Sequence, residues 1–393
     1  MLRRVSGVLL GLTLALVLLP SNVPAAAVPL LRAEWSASAV AAGWVVGAYL
    51  AGYSLAVLVV LPLTDRLSAR WIIVGGTVLS LGASVALPLL AQDPWLAVAF
   101  RVAAGVGLAG VYMPGVRVVA ATALPERRGL AVGLFVASFY LGSAASFLYA
   151  GLLLGDGWRG AMVSSTLVAA LAIPLALAGA RPLPVAGGRS VLDLSVLRSG
   201  ELVRTIAAYS GHAWELFAAR AWLSAFLAGV LVAHGATTAD ATGEAGRWSG
   251  LILAAGIPAV FAGGWASDHF GRVRTAFVMA IASGVLAVVF GLLGSAPWPL
   301  LLAVGFLYSG LIAADSAVYS TAVTELAPGA KVGSAQAIQA FLGFGAGSLG
   351  PPAAGLALDL GLGYPGVFAV AGAASIFGAL PLLRDLRRRT AAG

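Results

Sequence analysis

Apolar stretches long enough to cross a hydrocarbon layer recur along this chain, separated by short polar connections. A bilayer core of ~30 Å needs ~20 helical residues at 1.5 Å rise each. Twelve segments meet that length: 6–31, 40–62, 71–91, 95–123, 129–154, 159–180, 204–234, 247–267, 274–294, 298–325, 332–357 and 363–383. The connections are short except 181–203, rich in Pro, Gly, Arg and Ser, which leaves six segments on either side. The expected organisation is a six-helix bundle at 1–180, a cytoplasmic linker at 181–203 and a second six-helix bundle at 204–393 with a short basic tail. Arg3-Arg4, an apolar run and Ala25-Ala26-Ala27 also have the form of a cleavable leader. Apolar character continues to Leu31, and cleavage would invert every later loop, so the segment is read as a span.

Composition narrows the class. Hydrophobic residues make up 60% of the 393 and charged residues only 10%, whereas soluble domains average about 25% charged. The 51 glycines suit helices packed closely through small residues. The absence of cysteine excludes disulfides, thiolate metal sites and a thiol nucleophile. A net charge of +8 would suit a polyanionic partner, but the placement of the charges argues otherwise. With the amino terminus in the cytoplasm, that side holds Arg3, Arg4, Arg66, Arg70, Arg127, Arg128, Arg181, Arg189, Arg198, Arg204, Arg272, Arg274, Lys331, Arg384 and Arg387–Arg389. Outer loops hold Arg32, Arg159 and Arg247, while Arg101, Arg117 and Arg220 fall inside spans. This is the positive-inside bias of an inner-membrane protein with both termini cytoplasmic. The partner it implies is the lipid bilayer, with Arg387-Arg388-Arg389 as an anchor at the anionic leaflet and no role for nucleic acid.

Two connections resemble each other. After the second segment the chain reads Leu61-Pro62-Leu63-Thr64-Asp65-Arg66-Leu67-Ser68-Ala69-Arg70, and after the eighth Gly264-Trp265-Ala266-Ser267-Asp268-His269-Phe270-Gly271-Arg272-Val273-Arg274. Twelve spans, a six-plus-six division and a duplicated acidic–basic hairpin resemble the major facilitator superfamily over essentially the whole chain. Leu63, Asp65, Arg66 and Arg70 fit its Gly-x-Leu-x-Asp-Arg-x-Gly-Arg-Arg signature, with Leu61 and Ser68 in place of two glycines. The second copy keeps Gly264, Asp268, Gly271 and Arg272. Arg101, Gly105, Gly107 and Pro114 resemble the family's fourth-span signature. The resemblance implies an all-α membrane fold of two pseudo-symmetric bundles that rock about a central site. Asp65, Arg66, Arg70, Asp268 and Arg272 would then gate the conformational change, with Asp65 near the amino end of the eleventh span and Asp268 near that of the fifth. A carboxylate at a helix amino end gains ~0.3–1 kcal/mol.

In that architecture the first, fourth, seventh and tenth spans line the cavity. The seventh carries His212, Trp214, Glu215, Arg220 and Trp222. At 100° per residue His212, Glu215 and Trp222 share a face about 80° wide, with Arg220 pointing elsewhere. The tenth carries Asp315, Ser316 and Tyr319, and the fourth Arg117. Ionisable groups inside spans are functional candidates because burying them is costly. Substrate contact by these residues and proton coupling by Glu215, His212, Asp315 and Arg101 are the sharp readings. The bland ones are structural pairing of Glu215 and Asp315 with Arg220 and Arg117, packing by Trp214 and Trp222, and snorkelling of Arg101. Glycines from Gly343 to Gly350 before Pro351-Pro352 in the eleventh span suit either a hinge or close packing.

Departures from subfamily patterns restrict the substrate. The fifth span lacks the Gly-Pro pair of drug–proton antiporters, the second and eighth lack the arginines of nitrate porters, and the Pro-Glu-Ser and Pro-Glu-Thr loops of sugar porters are absent. No glycine-rich loop precedes Lys-Ser/Thr, and His212, His234 and His269 show no metal-ligand spacing. Neither an enzyme nor a cofactor or metal site is expected. The expected function is secondary transport, by a chain for which a monomer suffices, of a small polar or anionic solute with protons. Arg117 or Arg220 would meet the anionic group. Efflux of drugs or amphipathic cations, and a non-transporting sensor or scaffold, are the rival readings.

Overall fold

The computed structural model describes residues 2–63, 66–124, 127–182 and 192–390, without the side chains of residues 2–5, 61, 62, 330, 389 and 390. Asp65 and Arg189 lie outside the described residues, as do the side chains of Arg3, Arg4 and Arg389. Among those described the regular structure is helical, with no strand. In chain order the helices are α1 (Leu2–Val17), α2 (Val23–Ala26), α3 (Val28–Trp35), α4 (Ala39–Leu63), α5 (Ala69–Leu90), α6 (Pro94–Thr122), α7 (Arg128–Leu153), α8 (Trp158–Ala169) and α9 (Ala172–Gly179). They continue as α10 (Gly200–Ala233), α11 (Thr238–Ala254), α12 (Gly256–Phe270), α13 (Arg272–Leu292), α14 (Trp298–Leu326), α15 (Val332–Asp359), α16 (Gly363–Ala379) and α17 (Leu383–Thr390).

Eleven stretches of the described residues are long and apolar enough to cross a membrane, and they correspond to the second through twelfth expected segments. The first segment differs. It is broken into α1, α2 and α3, with turns at Leu18–Asn22 and at Ala27. Proline supplies no N–H and clashes with the preceding turn; Pro20 falls in the first turn and Pro24 and Pro29 open α2 and α3. The sixth and eighth spans are helix pairs, α8–α9 and α11–α12, with Pro174 and Pro258 in the first turn of the second member. A further difference is the start of the eighth span. Helix begins at Thr238, within what reads as an outer loop, because Thr237 Oγ accepts from Asp240 N–H at 3.2 Å and donates to the Asp240 carboxylate at 2.7 Å. That reciprocal cap stabilises a polar first turn.

The chain forms two compact units. One comprises Met1–Ala37, Ala48–Val191 and Leu227–Leu251; the other comprises Ser38–Gly47, Leu192–Phe226 and Ile252–Gly393. In the first, Gly105 brings α6 onto α4 so closely that a Cβ would lie 1.9 Å from the Tyr49 carbonyl oxygen. Such backbone approach is how helices associate when lipid removes the hydrophobic drive between them. On the same unit the guanidinium of Arg159 binds the Glu34 carboxylate and the Pro88 and Ala91 carbonyls, joining α3, α5 and α8. In the second unit Gly263 does for α12 and α14 what Gly105 does for α4 and α6, at 1.9 Å from the Ala314 carbonyl oxygen. Phe226, Phe290, Tyr308 and Phe368 fill the centre of that unit edge to face. Two polar ties fasten its ends. Arg204 Nε donates to Asp385 Oδ2 at 2.8 Å, and Lys331 Nζ lies 2.9 Å from Asp193 Oδ2.

Candidate functional site

α10 runs without interruption for 34 residues, so residues three and four apart share a face along its whole length. His212 and Glu215 project from that face, and the structure buries both, at 1% and 0% exposure. α14 presents Asp315, Ser316 and Tyr319 in one turn, with Asp315 and Tyr319 fully buried. His212 Nδ1 lies 2.9 Å from Asp315 Oδ1, and its Nε2 lies 3.0 Å from Ser316 Oγ. The two groups therefore meet as a close contact with no solvent beside either. Rings enclose the pair: His212 lies 5.6 Å from Tyr319 and 6.0 Å from Tyr209, centroid to centroid. Gly343 of α15 makes room for Tyr209, since a Cβ there would fall 2.1 Å from its ring.

Glu215 occupies a second polar nest one turn along. Ser283 Oγ of α13 donates to its Oε2 at 2.8 Å, and the Tyr308 and Ser375 hydroxyls of α14 and α16 lie near the carboxyl group without a hydrogen bond of regular geometry to it. Asp315 is near enough for the two carboxyl groups to act on one another. Charges cannot be buried cheaply without partners; His212 stands against Asp315 and the Ser283 hydroxyl against Glu215. Ser283, Tyr308 and Ser375 escaped the sequence reading, although each is an isolated polar residue in an apolar span.

The other predicted residues are placed less centrally. Arg220 is buried on α10 with its guanidinium 5.4 Å from the Phe217 ring centroid. Trp222, expected on the face of His212 and Glu215, donates from Nε1 to the Pro351 carbonyl of α15 at 2.9 Å. Trp214 is half-buried, its backbone carbonyl against Gly350 of α15. α15 stays helical through Pro351-Pro352, and its glycines sit against α10 side chains and backbone. In the first unit Arg101 is 2% exposed with its guanidinium 4.5 Å from the centroid of the Tyr49 ring; it is enclosed, not snorkelled. Arg117 is half-buried on α6. Of the hairpin residues, Arg66 is exposed and Arg70 lies 5.5 Å from the Trp71 ring centroid. Arg272 binds the Asp268 carboxylate and the Ser267 hydroxyl, and lies 3.0 Å from Glu325 Oε1. Among the described residues no group of three or more His, Cys, Asp or Glu side chains could hold a metal ion. A groove of about 480 Å³ along α13 and α14, lined by Phe277, Ile281, Leu286 and Leu311, contains none of these charged groups.

Long apolar helices packed through glycine, with ionisable side chains enclosed between them, define a multi-pass membrane protein of the carrier type. The chain belongs to the major facilitator superfamily: the family's sequence model matches residues 10–261 and 240–392. The uncharacterized transporter YgaY of Escherichia coli is 34% identical over 145 residues, a stretch that spans only 36% of this chain and 36% of that one. A gallate transporter of Pseudomonas putida is 25% identical across 91% of this chain and 86% of its own length. Among solved structures, a D-xylose–proton symporter superposes with a TM-score of 0.76 at 17% identity, covering 96% of each chain.

Proposed function

We propose that this chain is a proton-coupled secondary transporter that moves a small organic anion across the inner membrane by alternating access, with both termini cytoplasmic. The observation that carries the reading is the enclosed His212–Asp315 contact beside Glu215. A scaffold gains nothing from burying two carboxyl groups and an imidazole in one bundle, whereas a carrier needs groups whose proton occupancy changes with its state. Moving a proton on or off Asp315 alters its attraction to His212, and that differential is the kind of coupling a conformational equilibrium can respond to. Asp268, Arg272, Arg66 and Arg70, with Asp65, are the proposed gating set on the cytoplasmic side.

Arg117 and Arg220 are each proposed as contacts for the anionic group, and His212, Trp214, Trp222 and Tyr319 as further contributors to binding. The full-length likeness to a gallate transporter supports a carboxylate, and an aromatic one, over an amphipathic cation. Stacking of an aromatic acid on Tyr319 and Tyr209, with a guanidinium at the carboxylate, suits these residue types. Counterflow in proteoliposomes tests the assignment. Aromatic carboxylates should exchange and lipophilic cations should not; exchange of the cations alone would sink it.

A further inference from the structure

The amino end of α4 is capped by a residue of another helix. The first four N–H groups of a helix have no partner inside it. In α4 the N–H of Ala41 donates to Ser38 Oγ at 3.1 Å and that of Ala42 to the Ser38 carbonyl at 3.1 Å. The remaining two, on Ala39 and Val40, donate to the two carboxylate oxygens of Asp359 at 2.8 and 2.9 Å. Asp359 is the last residue of α15. One carboxylate thus completes the cap from outside the helix and sets a negative charge at the positive end of its dipole.

Beyond that contact, within the same unit, the two backbones touch. A Cβ on Gly43 would lie 2.5 Å from the Pro351 carbonyl oxygen, and one on Gly47 2.2 Å from that of Ser348. Gly355 of α15 is reciprocal: its Cβ would lie 2.4 Å from the Ala39 carbonyl oxygen. Contacts of this kind are dispersion and Cα–H···O approaches, weak singly and tolerant of sliding. The two bonds to Asp359 are directional and charge-assisted.

We propose that Asp359 is a latch: it holds the amino end of α4 to the carboxyl end of α15, and its release lets that seam open. Resting on the topology proposed above, these ends lie on the outer side, so the latch biases the carrier toward its outward-closed state. Parting the seam strips Ala39 and Val40 of their acceptor and leaves water to replace it.

The chain has no cysteine, so one introduced thiol is the sole target of a maleimide. Ser348→Cys places it beneath the seam, at a residue 4% exposed. The measurement is its labelling rate by a membrane-impermeant maleimide in vesicles of known sidedness, with Asp359 intact, Asp359→Asn and Asp359→Ala. Labelling from outside should quicken about fivefold in Asp359→Ala, the scale of losing a helix cap, and less in Asp359→Asn, which keeps one acceptor. If Asp359→Ala is not recovered as a monodisperse protein, Asp359→Asn carries the comparison. An unchanged rate in a folded Asp359 variant overturns the latch. Acceleration seen only from the inner side supports the latch and overturns the assignment of sides.

Discussion

The imidazole of His212 and the carboxyl group of Asp315 meet at 2.9 Å on α10 and α14, both at 1% exposure or less. Neither has solvent to compensate a change in the other. A buried pair of this kind is expensive to break from one side, because the surviving group is left without its counterpart. Asp315→Asn keeps the shape and removes the charge. Uptake driven by an imposed pH gradient in proteoliposomes should fall by about tenfold or more, the scale of one lost transition-state interaction. Substrate exchange without a gradient should fall less. Equal loss of both would mean that Asp315 serves binding alone.

Glu215 separates proton handling from packing. Glu215→Gln retains an acceptor for Ser283 and should unfold close to the parent. Glu215→Leu removes the acceptor that Ser283 Oγ meets at 2.8 Å and leaves that hydroxyl only the longer contact to the Ala280 carbonyl at 3.2 Å. Weakening the bonding of one buried hydroxyl costs up to about 1–3 kcal/mol, and the thermal midpoint in detergent should drop accordingly. A Leu variant as stable as the parent would show that the Ala280 carbonyl alone satisfies the Ser283 hydroxyl.

How much of this was legible beforehand differs by element. The spans from the second to the twelfth follow from apolar length, a local property that survives folding. The break in the first span was also local: Pro20, Pro24 and Pro29 carry it, and length alone conceals it. The start of α11 was missed for the opposite reason, since its first turns are polar and held by the Thr237–Asp240 cap rather than by lipid. His212, Glu215, Asp315 and Tyr319 stood out as polar residues in apolar runs. That His212 meets Asp315, while Trp222 reaches Pro351, depends on rotation and tilt of whole helices, which neighbouring residues do not encode. Ser283, Tyr308 and Ser375 acquire meaning only once Glu215 is seen among them.

The tie between Asp193 and Lys331 predicts a pH dependence outside the bilayer. The Ser195 hydroxyl, the Lys331 ammonium and the Ser195 N–H together hold the Asp193 carboxyl down at about 2. A carboxyl with a lowered folded value contributes its stabilisation above the ordinary value near 4 and loses it as pH falls toward 2. Docking of the linker's end onto the start of α15 should therefore be constant from pH 8 to about pH 5 and weaken below pH 4. Limited proteolysis of the linker, read across pH 3–8 with an acid-active and a neutral protease, tests this. Lys331→Gln should raise cleavage already at pH 7. Cleavage that climbs between pH 8 and 6 would point to another titrating group.

Close approach at Gly105 predicts a steep stability penalty at a position with no chemistry of its own. A Cβ there would fall 1.9 Å from the Tyr49 carbonyl oxygen, a backbone atom that cannot swing aside. Gly105→Ala must push α4 and α6 apart, and overpacking of this kind costs about 1–3 kcal/mol. Gly75 on α5 is the control, because a Cβ there meets nothing within 4 Å. Gly75→Ala should be neutral, or gain a few tenths of a kcal/mol from the better helix propensity of alanine. The displacement also moves the Tyr49 ring from the Arg101 guanidinium. The double variant with Tyr49→Leu, which removes the ring outright, should therefore lose less than the sum of the two single losses. Thermal midpoints of the four proteins in one detergent decide it: additive losses would show that the α4–α6 approach and the Arg101–Tyr49 contact are energetically separate.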